Sequence, residues 1–153
     1  MQSLIQENVN PDIPGILIMS HGPLAVGIVE SAKMLFAEAE NIAAFTLEEG
    51  DDPDDFRKAF AETFDTFPDG SIVMVDIFGG SPCNQTLRYA QETNKDFELL
   101  TGVNLPMVLD AVASRAGMSG KEFSENVVEN SKSGIARVDI EAFLSPDDEE
   151  DDE

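Results

Sequence analysis

Gly15-Ile16-Leu17-Ile18-Met19-Ser20-His21-Gly22-Pro23 is the stretch from which the fold is read. Gly15 to Met19 is a short, continuous apolar run, as expected of a strand buried on both faces of a sheet. It stops at a polar turn, and from about Pro23 to Ala39 the residues Leu24, Ile28, Ala32 and Leu35 fall at helical spacing. A buried strand feeding a helix is the unit from which parallel sheets are made.

Outward from this unit the pattern repeats. Ile42 to Leu47 reads as a second strand, and Phe56, Phe60 and Phe64 give the following helix one aromatic face. The acidic turn between them, Glu48 to Asp55, contains Asp52 and Pro53, a cap and a first helical residue, so its acids face the positive end of the helix dipole. Ser71 to Asp76 is a third strand, Pro82 to about Thr93 a helix, and Phe97 to Leu100 a fourth strand. Asn104 to about Ala116 is helical with Pro106 in its first turn, and Ser119-Gly120-Lys121-Glu122 has the capping-box spacing that opens a last helix to about Lys132. Ile135, Val138 and Ile140 make Ile135 to Ile140 an expected edge strand. Repeated strand and helix units joined by right-handed crossovers imply a doubly wound α/β fold, a mostly parallel sheet with helices on both faces.

Composition bounds what such a domain does. The 153 residues carry 31 Asp and Glu against 9 Lys and Arg, a formal net charge of −22. A surface this negative repels phosphate backbones and anionic lipid, so no nucleic acid and no membrane insertion are expected, and basic partners are favoured. No apolar run approaches the roughly 20 residues that span a bilayer. One cysteine makes no internal disulfide, and Met1 to Asn10 lacks the features of a secretory signal, so the expected location is cytoplasmic. The expected organisation is an N-terminal extension over residues 1–14, one domain over 15–144 and a disordered acidic tail over 145–153, where Asp147 to Glu153 are all acids.

In an open α/β sheet, ligands bind beyond the carboxyl ends of strands whose crossovers leave to opposite faces. Two strand ends carry chemistry: the first runs into His21, the third into Asp76-Ile77-Phe78-Gly79-Gly80-Ser81-Pro82. If these strands are neighbours, one imidazole faces one carboxylate. An aspartate bonded to one ring nitrogen fixes the tautomer, frees the other nitrogen as a nucleophile and stabilises positive charge on the ring. Gly79 and Gly80 allow consecutive N–H groups to converge on one point, with Ser81 capping the next helix and Pro82 in its first turn. The expected ligand is a phosphoryl group beside histidine. Cys83 has no second cysteine or basic neighbour and is read as packing. One His and one Cys do not make a nitrogen and sulfur metal site, no P-loop is present, and no cofactor is called for.

The strand ending in Ser20-His21-Gly22, the Val75-Asp76-x-x-Gly79-Gly80-Ser81-Pro82 motif and Thr101-Gly102-Val103-Asn104-Leu105-Pro106-Met107 together resemble the enzyme IIA domain of the mannose family of the bacterial sugar phosphotransferase system. The likeness runs from about Gly15 to Ile140. It implies that His21 receives a phosphoryl group from HPr on Nε2 and passes it to a IIB component, which serves membrane IIC and IID components. It also implies that Asp76 holds Nδ1 and that Gly79, Gly80 and Ser81 cradle the phosphate. The implied sheet has the strand order 2-1-3-4, with an antiparallel fifth strand exchanged across a homodimer, for which Ile135 to Ile140 is the candidate. Ile77 departs from the threonine common at that position, so the hydroxyl contact falls to Ser81 and backbone. Two alternatives stand beside this reading: a regulatory or dihydroxyacetone-kinase-type phosphohistidine protein not coupled to transport, and a receiver-type domain phosphorylated on Asp76.

Overall fold

The computed structural model describes residues 1–37 and 39–145. Four parallel strands, β2 (Ile16–His21), β3 (Ile42–Leu47), β4 (Ser71–Val75) and β5 (Phe97–Thr101), form where the apolar runs predict them. With a short β1 (Ser3–Leu4) they give the sheet order β1-β3-β2-β4-β5. The four parallel strands therefore stand in the expected order, with β2 and β4 side by side from Ile16↔Ile72 to Met19↔Val75.

Alternation within each strand divides the core in two. Ile16 and Ile18 face α1 (Leu24–Leu35), α4 (Leu105–Ser114) and α5 (Gly120–Lys132), packing with Ile28, Val108, Phe123 and Val127. Leu17 and Met19 face α2 (Pro53–Phe64) and α3 (Ser81–Glu92), packing with Phe56, Phe60, Phe64, Cys83 and Tyr89. The predicted aromatic face of α2 is fully buried, and Phe56 meets Phe60 edge to face at 5.4 Å. Truncating such a ring to Ala costs about 3–5 kcal/mol. Asp52 caps α2 by accepting the Asp54 N–H at 2.8 Å, and Asn104 caps α4 through the Met107 N–H at 2.9 Å. Ser119 is the N-cap of α5, but its side chain makes no capping bond.

Both sheet edges differ from expectation in an informative way. Ile135 to Ile140 is not a strand: Asp139 accepts the Ala142 N–H at 3.2 Å and starts a short helix, α6 (Ile140–Leu144). Alternating apolar residues form a strand only against a neighbour, and among the described residues of one chain this segment pairs with none, leaving Ile135, Val138, Ile140, Phe143 and Leu144 exposed. The antiparallel strand comes instead from the N-terminal extension, where Ser3 pairs with Phe45 and Leu4 with Ala44. Asn41, fully buried with φ +54°, latches that extension: its side chain accepts the Asn10 N–H at 2.8 Å and donates to the Asn10 and Ile13 carbonyls at 2.7 and 3.0 Å. The expected acidic tail, apart from Ser145, lies outside the described residues.

Candidate functional site at the carboxyl ends of β2 and β4

α1 leaves β2 over one face of the sheet and α3 leaves β4 over the other, so the crevice between their carboxyl ends is the place where an open sheet holds ligands. His21 is the last residue of β2, and Asp76 follows β4 directly. The structure brings them together: His21 Nδ1 lies 2.8 Å from Asp76 Oδ2, and the same oxygen accepts the His21 backbone N–H at 2.9 Å. Asp76 Oδ1 accepts the Ile77 N–H at 2.9 Å. The imidazole is 45% exposed and the carboxylate 12%, so the pair is anchored on its acidic side and open on its basic side. Burial pushes the Asp76 carboxyl up, but the His21 backbone and ring and the Ile77 N–H bonds outweigh it and hold the group below its ordinary range.

Ser20 fixes the turn that carries the histidine, a role that sequence reading missed. Its buried hydroxyl accepts the Ala25 N–H and donates to the Gly22 carbonyl, both at 2.8 Å. Gly22, at φ +62°, donates to the Leu47 carbonyl at 2.9 Å and ties the turn to β3. A serine placed between a buried strand and a helix start is the one signal that could have revealed it.

Opposite His21 runs the glycine loop. Gly79 takes φ +82°, while Gly80 is extended and is the N-cap of α3. Ser81, expected to cap, is instead the first helical residue, because Gly80 already has the extended backbone that a cap requires. Among the described residues the Ser81 hydroxyl makes no hydrogen bond, and no backbone carbonyl accepts from the N–H groups of Phe78, Gly79 or Gly80. Gly80 is pressed against the ring: a methyl group built on it would stand 2.6 Å from His21 Cε1 and 3.2 Å from Nε2. The free ring nitrogen therefore lies over Gly80, beside donors at a helix N-terminus that hold anions well.

Neither loop, residues 20–24 or 76–84, contains a Lys or Arg. Ile77 and Phe78 project beside the site, Phe78 being 83% exposed. Cys83 is fully buried among apolar side chains. Among the described residues no group of three or more His, Cys, Asp and Glu side chains is placed to hold a metal ion, and no helix is long and apolar enough to cross a membrane.

The family model for the PTS system fructose IIA component, mannose-type EIIA, matches residues 15–128. The chain belongs to this family. It is thus a IIA component of the sugar phosphotransferase system, a phosphotransferase by family. The Bacillus subtilis fructose-specific EIIA component is 27% identical to it over 114 residues, which cover 73% of this chain and 77% of the relative. The Escherichia coli K12 mannose-specific EIIAB component is 29% identical over 103 residues, 65% of this chain but only 31% of that longer protein. Among solved structures, the EIIA component from Streptococcus agalactiae superposes with a TM-score of 0.75 at 28% identity, covering 84% of this chain and 98% of its own. The mannose/sorbose IIA subunit from Enterococcus faecalis, at 22% identity, shares the fold with a TM-score of 0.73, covering 82% of this chain and 95% of its own.

Proposed function

We propose that this IIA component accepts a phosphoryl group from phosphorylated HPr on Nε2 of His21 and passes it to a IIB component. The observation that carries the reading is the orientation of the imidazole: Nδ1 is tied to Asp76, so Nε2 keeps its lone pair and faces the glycine loop. In the forward step a bond forms between Nε2 and phosphorus while the donor's phosphorus–nitrogen bond breaks. His21 keeps its Nδ1 proton, and Asp76 offsets the positive charge that develops on the ring.

Phosphoryl transfer of this kind passes through a loose transition state, so the protein's task is alignment and charge neutralisation. Backbone N–H groups of Gly79 and Gly80 and the Ser81 hydroxyl serve as a modest cradle, weak enough for the group to leave again. The basic side chain that the two loops lack then comes from the partner, and the net charge of −22 favours encounter with a basic partner. Membrane IIC and IID components are reached only through IIB. The phospho-aspartate alternative is disfavoured, since both Asp76 oxygens are already engaged by His21 and Ile77.

We also propose a homodimer. Among the described residues β5 is an edge strand and the exposed residues of Ile135 to Ile140 pair with no strand, so a second copy is the proposed source of the antiparallel pairing.

The test is incubation with HPr, its donor enzyme and labelled phosphoenolpyruvate, followed by mapping of the label. The expected product is an acid-labile, alkali-stable phosphohistidine at His21. Label on another residue, or cleavage of the label by hydroxylamine, overturns the reading.

A further inference from the structure

Asn84, in the first turns of α3, reaches back so that its Nδ2 donates to the Gly79 carbonyl at 3.1 Å, while its backbone N–H donates to the Gly80 carbonyl at 2.9 Å. One residue thus holds two successive carbonyls of the loop toward α3. In a trans peptide the N–H of the next residue points opposite to the carbonyl. The Gly80 and Ser81 N–H groups therefore point away from the carbonyls that Asn84 holds, and the His21 ring is the side chain packed closest to Gly80.

The two peptides are not equally secure. The Gly80–Ser81 peptide is locked by the first backbone hydrogen bond of the helix. The Gly79–Gly80 peptide has glycine on both sides, and among the described residues a methyl group built on Gly79 would touch nothing within 4 Å, so their packing does not restrain it. Its rotation would exchange a donor for a carbonyl oxygen at the place where a phosphoryl oxygen sits. Among the described residues only the Asn84 amide is bonded to the Gly79 carbonyl.

We propose that Asn84 is a positioning residue that keeps the Gly79–Gly80 peptide oriented so that the Gly80 N–H faces a phosphoryl group on His21. The proposal rests on the carrier reading above and adds a part to it. Asn84 is exposed, so its truncation leaves no cavity, and Ala is the better helix former. Loss of function without loss of stability is the signature of this role.

The experiment compares the wild-type chain with Asn84→Ala and Asn84→Asp. Turnover with phosphorylated HPr should fall about tenfold or more, as when an anion-facing donor is removed, with KM and melting temperature little changed. Asn84→Asp should fall further, because a carboxylate cannot donate to the Gly79 carbonyl and adds negative charge. Amide NMR supplies a readout that simple structural support would not move. On phosphorylation of His21, the Gly80 and Ser81 amide protons of the wild type should both shift downfield. In Asn84→Ala the Gly80 shift should be lost and the Ser81 shift kept, since its peptide is held by backbone. Unchanged turnover, or equal Gly80 shifts in wild type and variant, overturns the proposal. Phosphoramidate, which phosphorylates accessible imidazoles without a protein donor, separates this from the carrier reading. Wild type labelled by phosphoramidate but not by HPr refutes the carrier reading alone, and the amide shifts then decide the role of Asn84.

Discussion

Asp76 Oδ2 receives both the ring and the backbone of His21, Nδ1 at 2.8 Å and the main-chain N–H at 2.9 Å. The carboxylate therefore fixes the imidazole at two points and holds the ring against rotation as well as selecting its tautomer. A neutral amide in its place offers one acceptor oxygen and no charge.

From this follows the expected behaviour of Asp76→Asn and Asp76→Ala. Both keep the acceptor nitrogen, so both should still be phosphorylated. Transfer should slow by about 10²-fold or more, the scale on which a positioned acid–base partner acts. Rapid-quench measurement of label transfer from phosphorylated HPr checks it, and a wild-type rate would reduce Asp76 to a turn-forming residue.

The same carboxyl gives the protein a pH dependence with a definite sign. Burial raises it, the hydrogen bonds from His21 and Ile77 lower it further, and its folded value lies below the unfolded one. Its stabilising contribution is therefore fully present above about pH 4 and is lost as pH falls through the folded value. The stability gap between wild type and Asp76→Asn, followed by denaturant titration, should narrow as pH is lowered below about 4. A gap that widens in acid contradicts a hydrogen-bonded, ionised Asp76.

Two neighbouring glycines should fail for different reasons. Gly80→Ala meets no backbone strain, since φ is −78°, but its methyl would lie 2.6 Å from His21 Cε1. The ring must move, and phosphoryl uptake should drop with little change in melting temperature. Gly79→Ala has open space but a φ of +82°, so it should cost about 1 kcal/mol or more of stability while leaving the ring in place. Paired melting and labelling measurements on the two variants check the contrast, and identical behaviour would contradict the geometry of the loop.

The parts of the fold that were legible in the sequence are those dominated by burial. Ile16 to Met19, Ile42 to Phe45 and Ile72 to Val75 are continuous apolar runs because both faces of the sheet are covered, and the Phe56, Phe60 and Phe64 spacing admits only a helix. The approach of His21 to Asp76 was expected only if their strands were neighbours, and the pairing of β2 with β4 meets that condition. What escaped was held by polar bonds with no periodic trace. Ser3–Leu4 is a two-residue strand paired with β3 and flanked by the bonds between Gln2 and Thr46, and the contacts of Ser20 and Asn84 are side chain to backbone. Ile135 to Ile140 is not a strand within the single chain because alternation reports a face to be covered and not the neighbour that covers it.

Asn41 offers the last test, since it shows how the N-terminal extension is joined to the domain. Three polar backbone groups, the Asn10 N–H and the Asn10 and Ile13 carbonyls, depend on its side chain, and its φ of +54° is one that few residues tolerate. Asn41→Ala strands those groups and adds backbone strain, for an expected loss of about 2–4 kcal/mol. Asn41→Gly removes the strain and keeps the loss of hydrogen bonds, so it should fall between Ala and wild type. Denaturant titration ranks the three, and amide hydrogen exchange at Thr46, whose N–H donates to the Gln2 carbonyl at 2.9 Å, reports whether β1 has detached. Since the latch is at the amino end of β3 and His21 at the carboxyl end of β2, phosphoryl uptake should survive in both variants under conditions where they remain folded. Loss of uptake in a folded Asn41→Gly variant would show that β1 supports the site through β3, contrary to the separation of latch and site.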